Sequence, residues 1–104
     1  MGDVKEQPRC GVDEYGAKYW RINGKLHREN GPAIERANGT KEWYLHDKLH
    51  REDGPAHEHA SGFKAWWLHG QLTHPEQIVD LHLSRGTFCY YNEETDMLHF
   101  DETK

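Results

Sequence analysis

The segment Leu26-His27-Arg28-Glu29-Asn30-Gly31-Pro32-Ala33 returns as Leu49-His50-Arg51-Glu52-Asp53-Gly54-Pro55-Ala56, at an offset of 23 residues. Other residues recur at the same spacing: Gly16, Gly39 and Gly62; Lys18, Lys41 and Lys64; Trp20, Trp43 and Trp66; Leu26, Leu49 and Leu72. Self-similarity at one fixed period is the sequence signature of a repeat protein. We therefore predict an array of 23-residue units.

Each unit contains the residues of two turns. Asn38-Gly39 separates two strand-like segments and favours a two-residue type I′ hairpin, in which both central residues take positive φ. Equivalent turns fall at Tyr15-Gly16 and Ser61-Gly62, and the second turn of each unit falls at Asn23-Gly24, His46-Asp47 and His69-Gly70. Pro32 and Pro55 cannot donate to a β-ladder, so they mark loops. The sequence predicts a mainly β fold, an open antiparallel meander of stacked hairpins.

Alternation along the strands assigns side chains to the two faces of the predicted sheet. Trp43 and Leu45 point to one face, and Tyr44 points to the other. Translation by the repeat gives a predicted core face of Trp20, Ile22, Trp43, Leu45, Trp66 and Leu68, and an opposite column of Arg21, Tyr44 and Trp67.

A two-residue turn at Asn38-Gly39 also fixes the register of the hairpin. It places Ile34 opposite Trp43 and, by translation, His57 opposite Trp66. The same register sets Glu35 against Glu42, which is unfavourable because like charges repel across strands. The pair requires either a bulge that displaces the register or full solvation.

The third unit departs from the pattern after Leu72. The chain reads Thr73-His74-Pro75-Glu76, which predicts a helix with Thr73 as its N-cap and Glu76 completing a capping box. Ile78, Val79, His82 and Leu83 supply an apolar stripe, and Arg85-Gly86 is a stop signal.

The whole chain, 1–104, is predicted to be one domain. Residues 11–72 form the repeats, 73–86 a capping helix, and 87–104 a terminal hairpin with an acidic tail. The hairpin strands are expected at 87–92 and 97–100. A repeat array has to cover its exposed end, and the helix and hairpin are expected to do so.

The unit resembles the MORN repeat. The version Trp43-Tyr44, followed by Leu49-His50-Arg51-Glu52-Asp53-Gly54-Pro55-Ala56, is similar to variant arrays of uncharacterised bacteriophage and other viral proteins. The likeness covers about residues 11–72, whereas 73–104 falls outside it. Arg-Glu-Asn/Asp-Gly-Pro replaces the usual Gly-x-Gly after the His. The resemblance implies a scaffold for protein–protein contact or self-association, with lipid binding proposed for some members, and it implies no catalytic residues.

Charge and cysteine usage exclude several classes of function. The net charge is −5, with 12 basic and 13 acidic residues in 1–86 and an acidic excess after that point. No basic stripe is present, which argues against non-specific nucleic-acid binding. No apolar run approaches the ~18 residues of a membrane span. Cys10 and Cys89 form no C-x-x-C motif, so we expect free thiols and a cytoplasmic protein.

The histidines invite a metal hypothesis. His57 and His59 lie two apart on one strand, but no third and fourth ligand accompanies them, so the sequence predicts no metal site. His27 and His50 recur with the repeat and are expected to hydrogen-bond the loops carrying Gly31-Pro32 and Gly54-Pro55. Neither a nucleophile–base pair nor a phosphate-binding Gly loop is present, so we expect neither catalysis nor a cofactor.

Binding is the function that the sequence favours. Arg21, Tyr44 and Trp67 form a column of the kind that interface hot spots and base-stacking sites use. The alternative is that the helix packs on this column and buries it. Arg28 and Arg51 either clamp a carboxylate or phosphate, or pair with neighbouring glutamates, Glu29 and Glu52.

Three functional hypotheses follow. The first is a small non-catalytic protein, viral by its resemblance, that blocks or sequesters a host factor through protein–protein contact. The second is a binder of a small, nucleotide-type ligand in a groove lined by Tyr44, Trp67 and either Arg21 or Arg51. The third is a module that self-associates through unpaired sheet edges.

Overall fold

The structure, a computed structural model, describes residues 7–100. The strands are β1 (Arg9–Val12), β2 (Lys18–Ile22), β3 (Lys25–Leu26), β4 (Ile34–Glu35), β5 (Lys41–Glu42), β6 (Tyr44–Leu45), β7 (Lys48–Leu49), β8 (His57–Glu58), β9 (Lys64–Leu68), β10 (Gln71–Thr73), β11 (Cys89–Asn92) and β12 (Met97–Phe100). One helix, α1 (Pro75–Ser84), precedes the last two strands. The prediction of a mainly β antiparallel fold with a C-terminal helix and hairpin is confirmed.

The main sheet divides at the Trp of each repeat. The order β1-β2-β4-β5-β8-β9-β10 runs across it, and β3 pairs with β2 beside β4. The backbone of Trp20 holds both branches, because its N–H donates to the Ala33 carbonyl (2.8 Å) and its carbonyl accepts from the His27 N–H (3.0 Å). The same two bonds recur around Trp43. The loop of each unit therefore leaves and rejoins the sheet at one residue.

The second turn of each unit lies where the sequence predicts a turn, and it has the type I′ geometry that was predicted for the first turn. Both central residues take positive φ at all three turns: Asn23 and Gly24 at 52° and 80°, His46 and Asp47 at 51° and 69°, and His69 and Gly70 at 52° and 81°. A non-glycine residue in this region is disfavoured, and Asn, Asp and His are the types that tolerate it best. These turns connect β2 to β3, β6 to β7, and β9 to β10.

The first turn differs from the prediction. At Asn38-Gly39 only the glycine has positive φ (97°). The Gly39 N–H donates to the Arg36 carbonyl (3.0 Å), and the Arg36 N–H donates to the Thr40 carbonyl (2.9 Å). This is a three-residue loop with glycine in the left-handed position rather than a two-residue type I′ turn.

The longer loop shifts the hairpin register by one residue. Ile34 lies opposite Glu42 rather than Trp43, and the equivalent His57 lies opposite Ala65 rather than Trp66. The register of a two-residue turn is therefore wrong, and the displaced register, the alternative that the pairing of Glu35 with Glu42 suggested, is the one that forms. The conflict between glutamates also disappears, because Glu35 now faces a lysine, Lys41.

The two faces of the sheet differ in what covers them. We call the face that carries Trp20, Trp43 and Trp66 the loop face, and the face that carries Arg21, Tyr44 and Trp67 the open face. On the loop face, consecutive cross-strand partners alternate in sign: Lys18, Glu35, Lys41, Glu58 and Lys64. The loops and the helix contact the Trp side chains of this same face.

The core is concentrated at the C-terminal end of the loop face. Trp66, Ile78 and Leu98 are buried together, with partly buried side chains packed around them: Leu68, Val79 and Tyr91. The Tyr91 ring meets Trp66 edge-on at 5.9 Å between centroids. Because α1 packs against Trp66, the alternative that it buries the column of Tyr44 and Trp67 is wrong. The predicted core face therefore is the covered one, although Trp20 and Trp43 are only half-buried.

The helix begins one residue later than predicted. Thr73 stays in β10, opposite Trp66, so His74 is the N-cap. The ring Nδ1 of His74 accepts from the Glu76 N–H (3.2 Å), and the Gln77 side chain accepts from the His74 N–H (2.9 Å).

The C-terminal end of the helix and the second hairpin strand agree with the sequence prediction, whereas the first hairpin strand begins at Cys89, two residues later than predicted. Arg85 is the C-cap and Gly86 follows at φ 86°. The acidic tail beyond residue 100 lies outside the described residues. Within residues 7–100, no helix combines the length and the apolar character that crossing a membrane requires.

Candidate binding surfaces

Each loop on the loop face is closed by one arginine. The Arg28 Cζ lies 3.8 Å from the centroid of the Trp20 ring, and the Arg51 Cζ lies 3.8 Å from that of Trp43. The same guanidinium groups donate to the carbonyls of Pro32 (3.1 Å) and Pro55 (3.0 Å). The stacked position therefore combines a cation–π contact with a charge-assisted hydrogen bond.

Both arginines also form ion pairs, but not with the predicted partners. Arg28 donates to Glu35 (3.4 Å), and Arg51 donates to the equivalent glutamate, Glu58 (2.9 Å). Arg51 has a further bond from Nε to Asp53 (2.9 Å). The predicted pairing with Glu29 and Glu52 is wrong because the fork of each guanidinium points back to the strand that follows its loop.

This arrangement explains the glycine before each proline. A Cβ placed on Gly54 would lie 2.6 Å from the Arg51 Cζ, and one on Gly31 would lie 3.0 Å from the Arg28 Cζ. A side chain at residue 54 would displace the guanidinium from the Trp ring, and one at residue 31 would require a smaller shift. The repeated Arg-x-x-Gly-Pro spacing therefore belongs to the closure of the loop.

The recurrent histidines connect neighbouring units. The Nδ1 of His27 accepts from the His46 N–H (3.0 Å), and the Nδ1 of His50 accepts from the His69 N–H (2.9 Å). Each Nε2 faces a loop carboxylate two residues on, Glu29 (3.4 Å) or Glu52 (3.2 Å). The predicted contact with the loop is thus made through glutamate, and the bond to the turn of the next unit is an additional finding.

Two clefts lie beside these loops. The first, of about 600 Å³, is lined by Gln7, Pro8, Ile22, Asn23, Lys25, His27, Glu29, Asn30 and His46. The second, of about 630 Å³, is lined by Arg28, Glu29, Asn30, Gly31, Trp43, Leu45, His50, Arg51, Glu52, Asp53 and His82. The second cleft brings the two predicted site residues Arg28 and Arg51 together. The other three, Arg21, Tyr44 and Trp67, line neither cleft.

The second cleft is bounded by the capping helix. Arg85 donates to the Glu52 carboxylate (2.7 Å), and the His82 ring contacts the Glu52 carbonyl (2.5 Å). The hydrogen bond from Arg85 lowers the pKa of Glu52 below its ordinary value, although partial burial opposes the shift. The cap is therefore fastened to the loop of the second unit.

On the open face, a row of apolar and aromatic side chains crosses the sheet. Each member of the predicted column is paired with a leucine: Arg21 with Leu26, Tyr44 with Leu49, and Trp67 with Leu72. Arg21 is exposed, Tyr44 and Trp67 are half-buried, and Leu72 is 68% exposed. The structure brings these three predicted residues onto the face that neither the loops nor α1 contacts, while Arg28 and Arg51 lie on the other face.

A buried carboxylate lies in the middle of the open face. Glu42 is 8% exposed, and its oxygens face the Nε of Arg36 (3.3 Å), the Nδ1 of His57 (3.6 Å) and the hydroxyl of Tyr44 (3.4 Å). Burial raises the pKa of Tyr44, and the charge of Glu42 adds to the shift. Sequence reasoning missed this cluster because it depends on the one-residue shift of register.

The histidine pair proposed as a weak metal site has other contacts. The rings of His57 and His59 are stacked at 6.2 Å, and His59 Nδ1 is hydrogen-bonded to Ser61 Oγ (2.9 Å). Among residues 7–100, no three His, Cys, Asp or Glu side chains are grouped so as to hold a metal ion. Both cysteines are free, Cys10 exposed and Cys89 buried.

Comparison of the chain with protein-family models, with curated proteins and with solved structures found no match.

Proposed function

We propose that this chain is a non-catalytic binding protein that contacts a partner protein through the open face. The observation that supports this function is the one-sided covering of the sheet. Both loops and the capping helix contact the loop face, and Arg21, Tyr44 and Trp67 lie on the other side. The apolar row on this face is half-buried and ends in the exposed Leu72, and association with another molecule would bury it fully.

The residue types on the open face fit a protein interface. Arginine and the large aromatics are the side chains that most often dominate binding energy, and they do so when a partner excludes water around them. Trp67 and Tyr44 are already half-buried, so their rings are held in place before a partner arrives. Leu72 extends the apolar surface beyond them.

The resemblance to viral MORN-like arrays supports a host protein as the partner. In that case the chain acts by occupying a surface of the host protein, and blocking or sequestration follows from binding alone. This part of the proposal rests on the resemblance of residues 11–72 and on no contact in the structure.

A small ligand is the second candidate, and the cleft shared by Arg28 and Arg51 favours it. Its volume of about 630 Å³ is within the range of ligand pockets, and Trp43 contributes an aromatic surface. However, both guanidinium groups already bond to carboxylates of the chain. An anionic ligand would have to compete with those bonds.

The test compares two charge-introducing variants of exposed leucines. Leu72→Glu changes the open face, and Leu83→Glu changes the helix, where the leucine is 47% exposed. Each tagged protein captures binding partners from a host lysate, and the captured proteins are quantified by mass spectrometry. We expect wild type and Leu83→Glu to retain the same protein and Leu72→Glu to lose it by about tenfold or more. Equal capture by all three would show that the open face is not the interface.

A further inference from the structure

Two arginines stand side by side at one end of the open face. Arg9 of β1 lies directly opposite Arg21 of β2 in the antiparallel register, so both side chains project from the same face. Both are exposed. The Cα atoms of such a pair are about 4.5–5.5 Å apart, and like charges at this position destabilise a sheet. Arg9 and Arg21 therefore repel each other, although substitution of either arginine would remove the repulsion.

The other arginines are all neutralised. The sequence has six, and four of them pair with glutamates: Arg28 with Glu35, Arg36 with Glu42, Arg51 with Glu58, and Arg85 with Glu52. Within residues 7–100, neither Arg9 nor Arg21 forms an ion pair. The two guanidinium groups that lack an ion pair with any described residue are thus adjacent to each other, on a chain of net charge −5.

A neighbouring aromatic ring orients one arginine of this pair. The Arg21 Cζ lies 5.1 Å from the centroid of the Tyr19 ring. An arginine held by an aromatic ring keeps its planar N–H groups available at the edge, which suits carboxylate recognition. Leu26, directly opposite Arg21, begins the apolar row of the open face. Positive charge and apolar surface are therefore continuous.

We propose that Arg9 and Arg21 bind the carboxylates of an acidic segment of a partner protein, whose apolar side chains lie along the leucine row. The charge of the pair is complementary to such a segment, and this relieves the repulsion between the guanidinium groups. The inference rests on the proposed function of the open face and specifies the chemistry of the partner. Because opposite charges attract through solvent, binding weakens as salt is raised.

The test pans a random peptide library displayed on phage against three proteins. These are wild type, the double variant Arg9→Glu/Arg21→Glu, and the double variant Lys25→Glu/Lys48→Glu. The lysine variant changes net charge by the same amount, but its residues pair with Ile22 and Leu45 of the loop face. We expect wild type and the lysine variant to enrich peptides rich in Asp and Glu beside Leu or Phe. The arginine variant should bind those peptides about tenfold or more weakly.

Leu72→Glu separates this inference from the proposed function. The enriched peptides could require Leu72 for binding, be neutral or basic, and bind the arginine variant as well as they bind wild type. In that case the acidic-segment inference is wrong, and the open face remains an interface. If the enriched peptides depend neither on Leu72 nor on the arginine pair, both are wrong. Fluorescein-labelled oligo(dT) is measured alongside. If the protein binds this oligonucleotide through Arg9 and Arg21 but binds no acidic peptide, the pair recognises nucleic acid and the inference is wrong.

Discussion

The guanidinium of Arg51 lies on the ring of Trp43, with its Cζ 3.8 Å from the ring centroid. This one contact closes the loop of the second unit over the residue at which the sheet divides. Arg28 and Trp20 repeat the arrangement in the first unit, and the helix replaces it at Trp66. The stability of each loop is therefore concentrated in one side chain, and this leads to the first two predictions.

Removal of the stacked arginine should cost more in the second unit than in the first. We expect Arg51→Ala to lower the free energy of unfolding by about 2–3 kcal/mol, since it removes a cation–π contact and several charge-assisted bonds. Arg28→Ala should cost less, because its bond to Glu35 is longer (3.4 Å) and Asn30 takes the place of Asp53. Urea denaturation followed by Trp fluorescence gives both values. A larger loss for Arg28→Ala would contradict the prediction.

Gly54→Ala should destabilise the protein through the displaced arginine. The new Cβ would lie 2.6 Å from the Arg51 Cζ, so the guanidinium has to leave the Trp ring, at a cost of about 1–2 kcal/mol. In an Arg51→Ala background the same substitution should cost much less, and a double-mutant cycle measures the difference. Gly31→Ala is the matched control with the milder approach of 3.0 Å. Additive effects of Gly54→Ala and Arg51→Ala would refute the steric explanation.

The contact between Glu52 and the helix should make stability depend on acidic pH. The hydrogen bond from Arg85 holds the folded-state pKa of Glu52 below its ordinary value of 4.5. A depressed carboxyl pKa contributes stability that is present above pH 4.5 and is lost as pH falls through the folded-state pKa. Glu52→Gln should therefore flatten the acid limb of a plot of unfolding free energy against pH. Arg85→Ala, which removes the donor of that hydrogen bond, should flatten the limb in the same way, and an unchanged limb in Arg85→Ala would contradict the prediction.

Tyr91 should ionise later than an ordinary tyrosine. Its hydroxyl donates to Asp96 (2.6 Å), and this bond, with burial, raises the pKa of Tyr91 to about 12. A raised phenol pKa contributes stability that is fully present below pH 10 and is lost as pH rises toward 12. Tyrosinate absorbance should show a late-titrating group that is absent in Tyr91→Phe and titrates earlier in Asp96→Asn. A wild-type titration in which no tyrosine has a midpoint near pH 12 would exclude the bond.

The sequence predicted the repeat, the positions of the second turns and the faces of the Trp and Tyr side chains, but not the faces of Ile34 and His57, which the register shift moves to the open face. The predicted features depend on local chemistry: Asn23 tolerates positive φ, and strand alternation puts Trp66 and Trp67 on opposite sides. The helix stop at Arg85-Gly86 was predicted for the same reason. Nothing beyond the repeat period and side-chain alternation was needed to identify the column that includes Tyr44.

The features of the structure that were not predicted from the sequence depend on which of several possible local conformations forms. Asn38-Gly39 allows a two-residue turn, but the Asn38 side chain accepts from the Thr40 N–H (2.9 Å), and the three-residue loop forms instead. That choice moves Glu42 opposite Ile34 and creates the buried cluster around it. The stacking of Arg51 on Trp43 was also missed, because it joins residues whose contact depends on the path of the whole loop.

Because the sheet divides at the Trp of each unit, the width of the sheet is set by the number of repeat units. In every complete unit the loop packs on the Trp ring of that unit, and the next unit continues the hydrogen-bonded sheet. The capping helix packs on the last Trp, Trp66. One additional unit would insert two strands into the sheet and widen the open face by about 10 Å, and the capping helix would be unchanged. Duplication of the gene segment that encodes one unit would therefore enlarge the binding face by one fixed increment, and a larger partner could be accommodated in this way.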